Sequence, residues 1–167
     1  MPITSRLRLP MPKPKPVPYC ETLQMRLRTA YFALHRHSNR HFLQFETTAD
    51  QYVLLSYLAE EDGITQKELS ARCSSDARTI GTMIELLEHK GLVERQPHLS
   101  DRRAWQVFLT KNGRARHAQL RKKSEEIREV LHDALEPEEL AIVQMSLGRI
   151  AEAFEQSHQT TGRTQIS

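Results

Sequence analysis

The chain has only two cysteines in 167 residues, Cys20 and Cys73. They fall in different expected elements and form no CxxC pair, so neither a disulfide framework nor a dithiol motif organises the fold. Long apolar runs are also missing. Mean hydropathy is −0.59, and the most apolar window, Tyr52 to Ala59, is interrupted by Ser56. That is far short of the ~20 residues a membrane span requires. Prolines stand at the N-terminus where the apolar core of a signal peptide would be, so the expected location is the cytoplasm, with no membrane partner. The sequence offers no nucleophile and base pair, no metal-ligand cluster and no glycine-rich phosphate loop. An enzyme is therefore not expected, nor a catalytic residue, a metal or a cofactor.

Charge of one sign is scarce as well. Lys and Arg number 24 against 21 Asp and Glu, for a net +3, and the chain is 38% hydrophobic and 27% charged, which suits a globular protein. The distribution says more than the total. Residues 1–18 hold Arg6, Arg8, Lys13 and Lys15 without an acid, contributing +4 and leaving −1 for the rest. Six of the eight prolines lie there, in a stretch ending PMPKPKPVP that favours an extended path without backbone donors. Residues 1–18 read as a basic arm, either a solvated tail or a segment that touches DNA or a second copy.

From Tyr19 to about Phe45, Leu23, Leu27, Ala30, Tyr31, Leu34 and Phe45 recur mostly at three and four spacing, which predicts one long helix. Thr48-Ala-Asp-Gln51 has the form of a capping box and opens a second helix to about Glu61. Asp62-Gly63 stops it, and Thr65-Gln-Lys-Glu68 repeats the pattern for a third helix ending near Cys73. Ser74, Ser75 and Asp76 suit the cap of a fourth, over roughly 76–90. Ile80, Met83, Ile84 and Leu87 form its buried stripe, Arg78, Thr82, Glu85 and His89 its opposite face, and Gly91 its C-terminal cap. Leu92 to Arg95 and Trp105 to Leu109 read as two strands joined by a polar loop around Pro97 to Arg102.

A helix and a basic finger on one side of a small domain are the equipment for gripping a DNA groove. Beyond them, Lys111 to Leu135 reads as a long charged helix with a narrow apolar seam, ended by Glu136-Pro137. The last helix carries Leu140, Val143, Leu147, Ile150 and Phe154 in alternating three and four steps, a seam for packing against another helix or a second chain.

These residues resemble the MarR family of bacterial transcription regulators. The most specific match is Asp101, Arg103, Val107, Leu109-Thr110 and Gly113, which fits the family wing pattern D-x-R-x-x-x-V-x-L-T-x-x-G without a gap. Gln51, Gln66-Lys-Glu-Leu69 and Leu87-Glu-His-Lys-Gly-Leu-Val93 support it, and the likeness runs from about residue 19 to 156. The resemblance implies a mainly α fold: a winged helix-turn-helix, with a three-helix core plus a two-stranded β wing, flanked by N- and C-terminal dimerisation helices. The expected divisions are the arm at 1–18, a dimerisation helix at 19–46, the DNA-binding domain at 47–113, C-terminal dimerisation helices at 111–158 and a tail at 159–167. Within the DNA-binding domain the helix-turn-helix is expected at about 65–90 and the wing at about 92–109.

The implied function is a homodimeric regulator, read as a repressor, binding a pseudo-palindromic operator in double-stranded DNA in a bacterial or archaeal nucleoid. Ser75, Ala77, Arg78, Thr79 and Thr82 would face DNA from the recognition helix, with Gln66 and Lys67 from the third helix and His98, Asp101, Arg102 and Arg103 from the wing. Arg78 suits a bidentate guanine contact. Asp101 would pair with Arg103 and set its direction in a narrow minor groove. Two features depart from the family: Thr82 stands where a basic side chain is common, and Gly81 costs the helix about 1 kcal/mol against Ala. They favour fewer base contacts, and they leave open a protein-interaction module that has lost sequence-specific DNA binding.

The family's effectors are commonly small aromatic or phenolic compounds, for which Tyr31, His35 and Tyr52 are the candidate pocket residues, each equally readable as a packed aromatic. Leu23, Leu27, Leu140, Leu147, Ile150 and Phe154 are the candidate dimer interface. His37 and His41 have metal-ligand spacing, but without a nearby acid or thiol in sequence they read as surface or pocket histidines. Cys20 loosely resembles the sensing cysteine of peroxide-responsive relatives, about one helical turn too early, so a redox switch is the minor alternative.

Overall fold

The structure is a computed structural model that describes residues 18–101 and 103–163, for residues 157–163 by backbone alone. Most of the basic arm and Arg102 lie outside the described residues. The chain divides between His37 and Ser38 into two compact units. In the first, a short 3-10 turn at Tyr19–Glu21 leads into helix α1, Leu23–Leu43, which continues across the division. Leu23, Tyr31, Phe32 and Leu34 are exposed there, and the Arg28 guanidinium lies over the Phe32 ring at 4.6 Å.

The second unit follows the order α2 (Ala49–Glu60), β1 (Ile64–Thr65), α3 (Gln66–Arg72), α4 (Ala77–His89), β2 (Val93–Pro97), β3 (Trp105–Leu109), α5 (Lys111–Ala134) and α6 (Pro137–Arg163). The fold is mainly helical with one small antiparallel sheet, a winged helix-turn-helix. Both capping boxes form: Thr48 with Gln51 opens α2, and Thr65 with Glu68 opens α3. In each, side chain and backbone satisfy amides that the first helical turn would otherwise leave orphaned.

The sheet has three strands and not two, in the order β1-β3-β2. Ile64 pairs with Val107 and Thr65 with Gln106, so the residue that caps α3 is also tied to the middle strand. A two-residue strand is too short to leave an alternation in the sequence, which is why the expected wing had only two. On the other edge, Val93 pairs with Leu109 and Arg95 with Val107. Asp62 seals the end of the sheet: one carboxylate oxygen accepts from the Leu109 amide at 3.0 Å and the other meets Arg114.

The core gathers Leu54, Leu55 and Leu58 of α2, Leu69 of α3, Ile80, Ile84 and Leu87 of α4, Val93 and Val107 of the sheet, and Leu120 of α5. Three helices end in the same way. The amides of Glu46, Ser74 and Gly91 bond back to Leu43, Ala71 and Glu88, while those of Thr47, Ser75 and Leu92 reach Phe42, Ser70 and Leu87. This paired closure needs a left-handed residue after the helix, here Glu46 (φ 53), Ser74 (φ 49) and Gly91 (φ 65).

Leu92 then holds the base of the wing. Its carbonyl accepts the Thr110 amide at 3.1 Å, while the Thr110 hydroxyl donates to the Gly91 carbonyl at 2.7 Å and accepts the Gly113 amide at 3.0 Å. A Cβ at Gly113 would lie 1.9 Å from the Leu92 oxygen, so no side chain fits unless backbone moves. Gly113→Ala should therefore destabilise the domain by about 3 kcal/mol, against the ~1 kcal/mol gain that Ala ordinarily brings to a helix. Urea unfolding followed by circular dichroism checks this; a variant as stable as wild type would refute the close approach.

Candidate nucleic-acid interface

Helix α4 is amphipathic by construction. Ile80, Ile84 and Leu87 are buried, while Arg78, Thr82, Glu85 and His89, spaced by four, three and four residues, form one exposed row. Asp76 caps the start: its carboxylate accepts from the Thr79 amide at 2.9 Å and the Thr79 hydroxyl at 2.7 Å. These bonds to the charged form hold its carboxyl below the usual range, the amide contributing most. A negative cap also matches the positive end of the helix.

The expected recognition residues do not stand alike. Ala77, Arg78, Thr79 and Thr82 are exposed, though the Thr79 hydroxyl is engaged by Asp76 and the Thr82 hydroxyl donates to the Arg78 carbonyl at 3.1 Å. Ser75 is half-buried in the turn that closes α3. In α3, Lys67 faces solvent, but the Gln66 side-chain amide donates to the Ala77 carbonyl at 2.9 Å, clamping the two helices of the motif together.

Gly81 lies against that clamp. A Cβ there would meet Gln66 Nε2 at 3.0 Å, so the glycine that costs α4 helix propensity leaves room for the interhelical bond.

The wing rises from β2 and β3. Its β2 side is braced against α4 by Arg95, whose guanidinium donates to the Glu88 carboxylate at 2.5 and 2.9 Å. The hydrogen bond draws the Glu88 carboxyl down and the Arg95 guanidinium up from their ordinary values. At the tip, the His98 amide donates to the Ala104 carbonyl and the Ala104 amide to the Asp101 carbonyl, both at 3.0 Å. Asp101 Oδ1 accepts the Arg103 backbone amide at 3.0 Å. The carboxylate thus acts on the main chain of Arg103, where the sequence suggested its guanidinium. No Asp101–Arg103 ion pair is formed among the described residues, and Arg103 is exposed.

The remaining candidates fall in both units. Tyr31 and His35 lie together in the first, ring centroids 5.6 Å apart. Tyr52 belongs to the second, packed on Phe42 at 4.8 Å and stacked on His117 at 5.8 Å, its hydroxyl donating to Ser124 Oγ at 3.0 Å. Burial, and then the nearby Arg121 charge, push the His117 imidazole below its ordinary value, with Glu60 opposing. His41 Nδ1 stands 3.6 Å from Glu126, an acid brought near only by folding. Among the described residues no three His, Cys, Asp or Glu side chains gather as a metal site. Cys20 is exposed; Cys73 is half-buried, and burial, then Asp50, push its thiol up and keep it protonated. No helix among the described residues is long and apolar enough to cross a membrane.

The Gln66–Gly81 packing is open to a double-mutant cycle. Gly81→Ala alone should change stability by less than about 0.5 kcal/mol, the helical gain offsetting the displaced hydrogen bond. In a Gln66→Ala background the same change should stabilise by about 1 kcal/mol. Equal effects in both backgrounds, measured by urea unfolding, would remove the clamp.

Comparison with known proteins agrees with this geometry. Residues 47–105 match the MarR family. The chain is 28% identical over 123 residues to the HTH-type transcriptional regulator YybA of Bacillus subtilis, covering 74% of this chain and 82% of that one. Among solved structures, the transcriptional repressor CouR bound to a 23-mer DNA duplex superposes with a TM-score of 0.73 at 25% identity, over 78% of this chain and 93% of that chain. A mutant of MarR from E. coli complexed with operator DNA gives a TM-score of 0.72 at 26% identity, over 77% and 92%. With its capped recognition helix, its braced wing and these relatives, residues 47–105 form a MarR-family winged helix-turn-helix domain, in a chain similar over most of its length to transcriptional regulators.

Proposed function

We propose that this regulator acts as a homodimeric repressor, setting α4 in the major groove of a pseudo-palindromic operator and the wing in the adjacent minor groove. One observation carries the reading. The exposed row Arg78, Thr82, Glu85 and His89 lies on a helix whose other face is locked into the core, with the exposed Arg103 on the braced wing, in a fold shared with two proteins solved on DNA. Arg78 is the residue offered to a guanine edge, Lys67 to phosphates, and Arg103 with Arg102 to the minor groove, while Thr79 spends its donors on Asp76. Glu85 in the same row repels phosphate, which aims the row at base edges.

The dimer is supported by the apolar side chains a single copy leaves bare. In α6, Ile142 and Met145 are each more than half exposed, Leu147 is 45% exposed, and Leu23 of α1 is 60% exposed. Faces of that kind call for a partner, and a second copy is the occupant a two-fold operator requires. Half-sites about 10 bp apart or a small multiple follow from that symmetry. Release by a small aromatic or phenolic effector completes the proposal, with the Tyr31 and His35 rings as the stacking surface offered to it.

Two measurements test the reading. Against a duplex selected from random-sequence DNA, Arg103→Ala should weaken binding about tenfold or more at fixed salt. Equal binding by wild type and variant at every salt concentration removes the wing from the interface, and no preference over random DNA removes sequence-specific recognition. In sedimentation at micromolar concentration the full chain should run as a dimer; a monomer would overturn the assignment of the bare helical faces.

A further inference from the structure

We propose that His98 is the positioning residue of the wing tip, acting as a hydrogen-bond acceptor through Nδ1 and not as a contact to DNA. The inference deepens the proposed DNA-binding role of the wing and rests on it for its effect on affinity, though not for its geometry. His98 is half-buried, and two amide donors converge on its Nδ1, Ser100 at 3.3 Å and Asp101 at 3.2 Å, with the Ser100 hydroxyl also 3.2 Å from it. One lone pair shared in this way accounts for bonds at the long end of the usual range. An imidazole nitrogen that accepts carries no hydrogen, so the working form of the ring is neutral with its proton on Nε2.

Leu99, between the ring and the two amides, is 100% exposed and anchors nothing, and the contacts described at the tip are hydrogen bonds. They run in series. Nδ1 fixes the Asp101 amide, the Asp101 carbonyl accepts the Ala104 amide, and Asp101 Oδ1 accepts the Arg103 amide at 3.0 Å. Arg103, the wing arginine, therefore takes its direction from a chain that begins at the histidine. Among the described residues, the charged groups that face the ring are Glu68 of α3, whose carboxylate interacts with it electrostatically, and Asp101 of its own turn.

A proton on Nδ1 turns the acceptor into a donor and leaves both amides without it. A latch and a direct contact then respond to acid with opposite sign. An imidazolium touching phosphate would strengthen binding as pH falls, whereas a broken latch weakens it. Asparagine separates the two roles, because its side-chain oxygen sits where Nδ1 does, accepts backbone amides in the same kind of turn, and does not titrate.

The experiment uses the full chain, the selected duplex, and the His98→Asn and His98→Ala variants. At about pH 8, His98→Ala should bind about five- to tenfold more weakly than wild type and His98→Asn within about twofold of it. On acidification wild type should lose affinity relative to His98→Asn, by at most the loss that His98→Ala shows at about pH 8. In the DNA-free protein, nitrogen NMR should show an unprotonated Nδ1 on His98 at the higher pH, and Ser100 and Asp101 amide resonances that move on acidification in wild type only. The proposal is overturned by a proton on Nδ1 at that pH, by an Asn variant as weak as Ala, or by acid strengthening wild type relative to Asn. If wild type prefers no duplex, the DNA-binding reading fails, and the ring and amide spectra alone decide the latch.

Discussion

The approach of α5 to the Leu92 carbonyl sets the geometry on which the interface depends. At that point the recognition helix has just ended, the wing begins, and the chain returns from the wing to enter α5. Three backbone segments meet around one oxygen and one threonine hydroxyl, and only the missing Cβ at Gly113 lets them close. The angle between α4 and the wing is therefore a property of a packed junction, not of a flexible linker. Main-chain atoms in such a junction have little freedom to relax, and the arrangement transmits position from core to wing.

Around that junction the polar bonds divide the labour. Glu88 and Arg95 join the outer face of α4 to β2, Asp62 seals the end of β3 against α5, and Gln66 holds α3 to the first turn of α4. Each pair lies partly in solvent, where ion pairs and hydrogen bonds add modestly to stability. Their weight is in orientation. Buried leucines and isoleucines secure the domain, while these directional contacts set how the exposed row of α4 and the wing stand to one another.

Much of this was legible before the fold was known. The two capping boxes, the buried stripe of α4, the left-handed Gly91 and the wing pattern ending at Gly113 are contacts within a few residues, and short-range spacing encodes them directly. The partner of Gln66 is illegible there for the opposite reason. An exposed-looking glutamine early in a helix suggests a DNA contact, and only its neighbour eleven residues on shows that it serves the motif's own geometry. Gly81 reads in sequence only as a propensity cost to α4, and the fold sets it against Gln66 of α3. Strand β1 escaped notice because two residues carry no periodicity; its partner, β3, supplies the evidence of its existence.

The sequence by itself determined the element order, the capped recognition helix and the family to which the wing pattern belongs, since these follow from local propensity and from a linear motif. Tertiary structure decided what each polar side chain addresses: Gln66 towards Ala77, Asp101 towards the Arg103 main chain, His98 towards two amides of its own turn. The physical reason is that a hydrogen bond is directional and short. Residue type states that a donor or acceptor is present, but only the folded backbone brings one partner within about 3 Å and turns the others away.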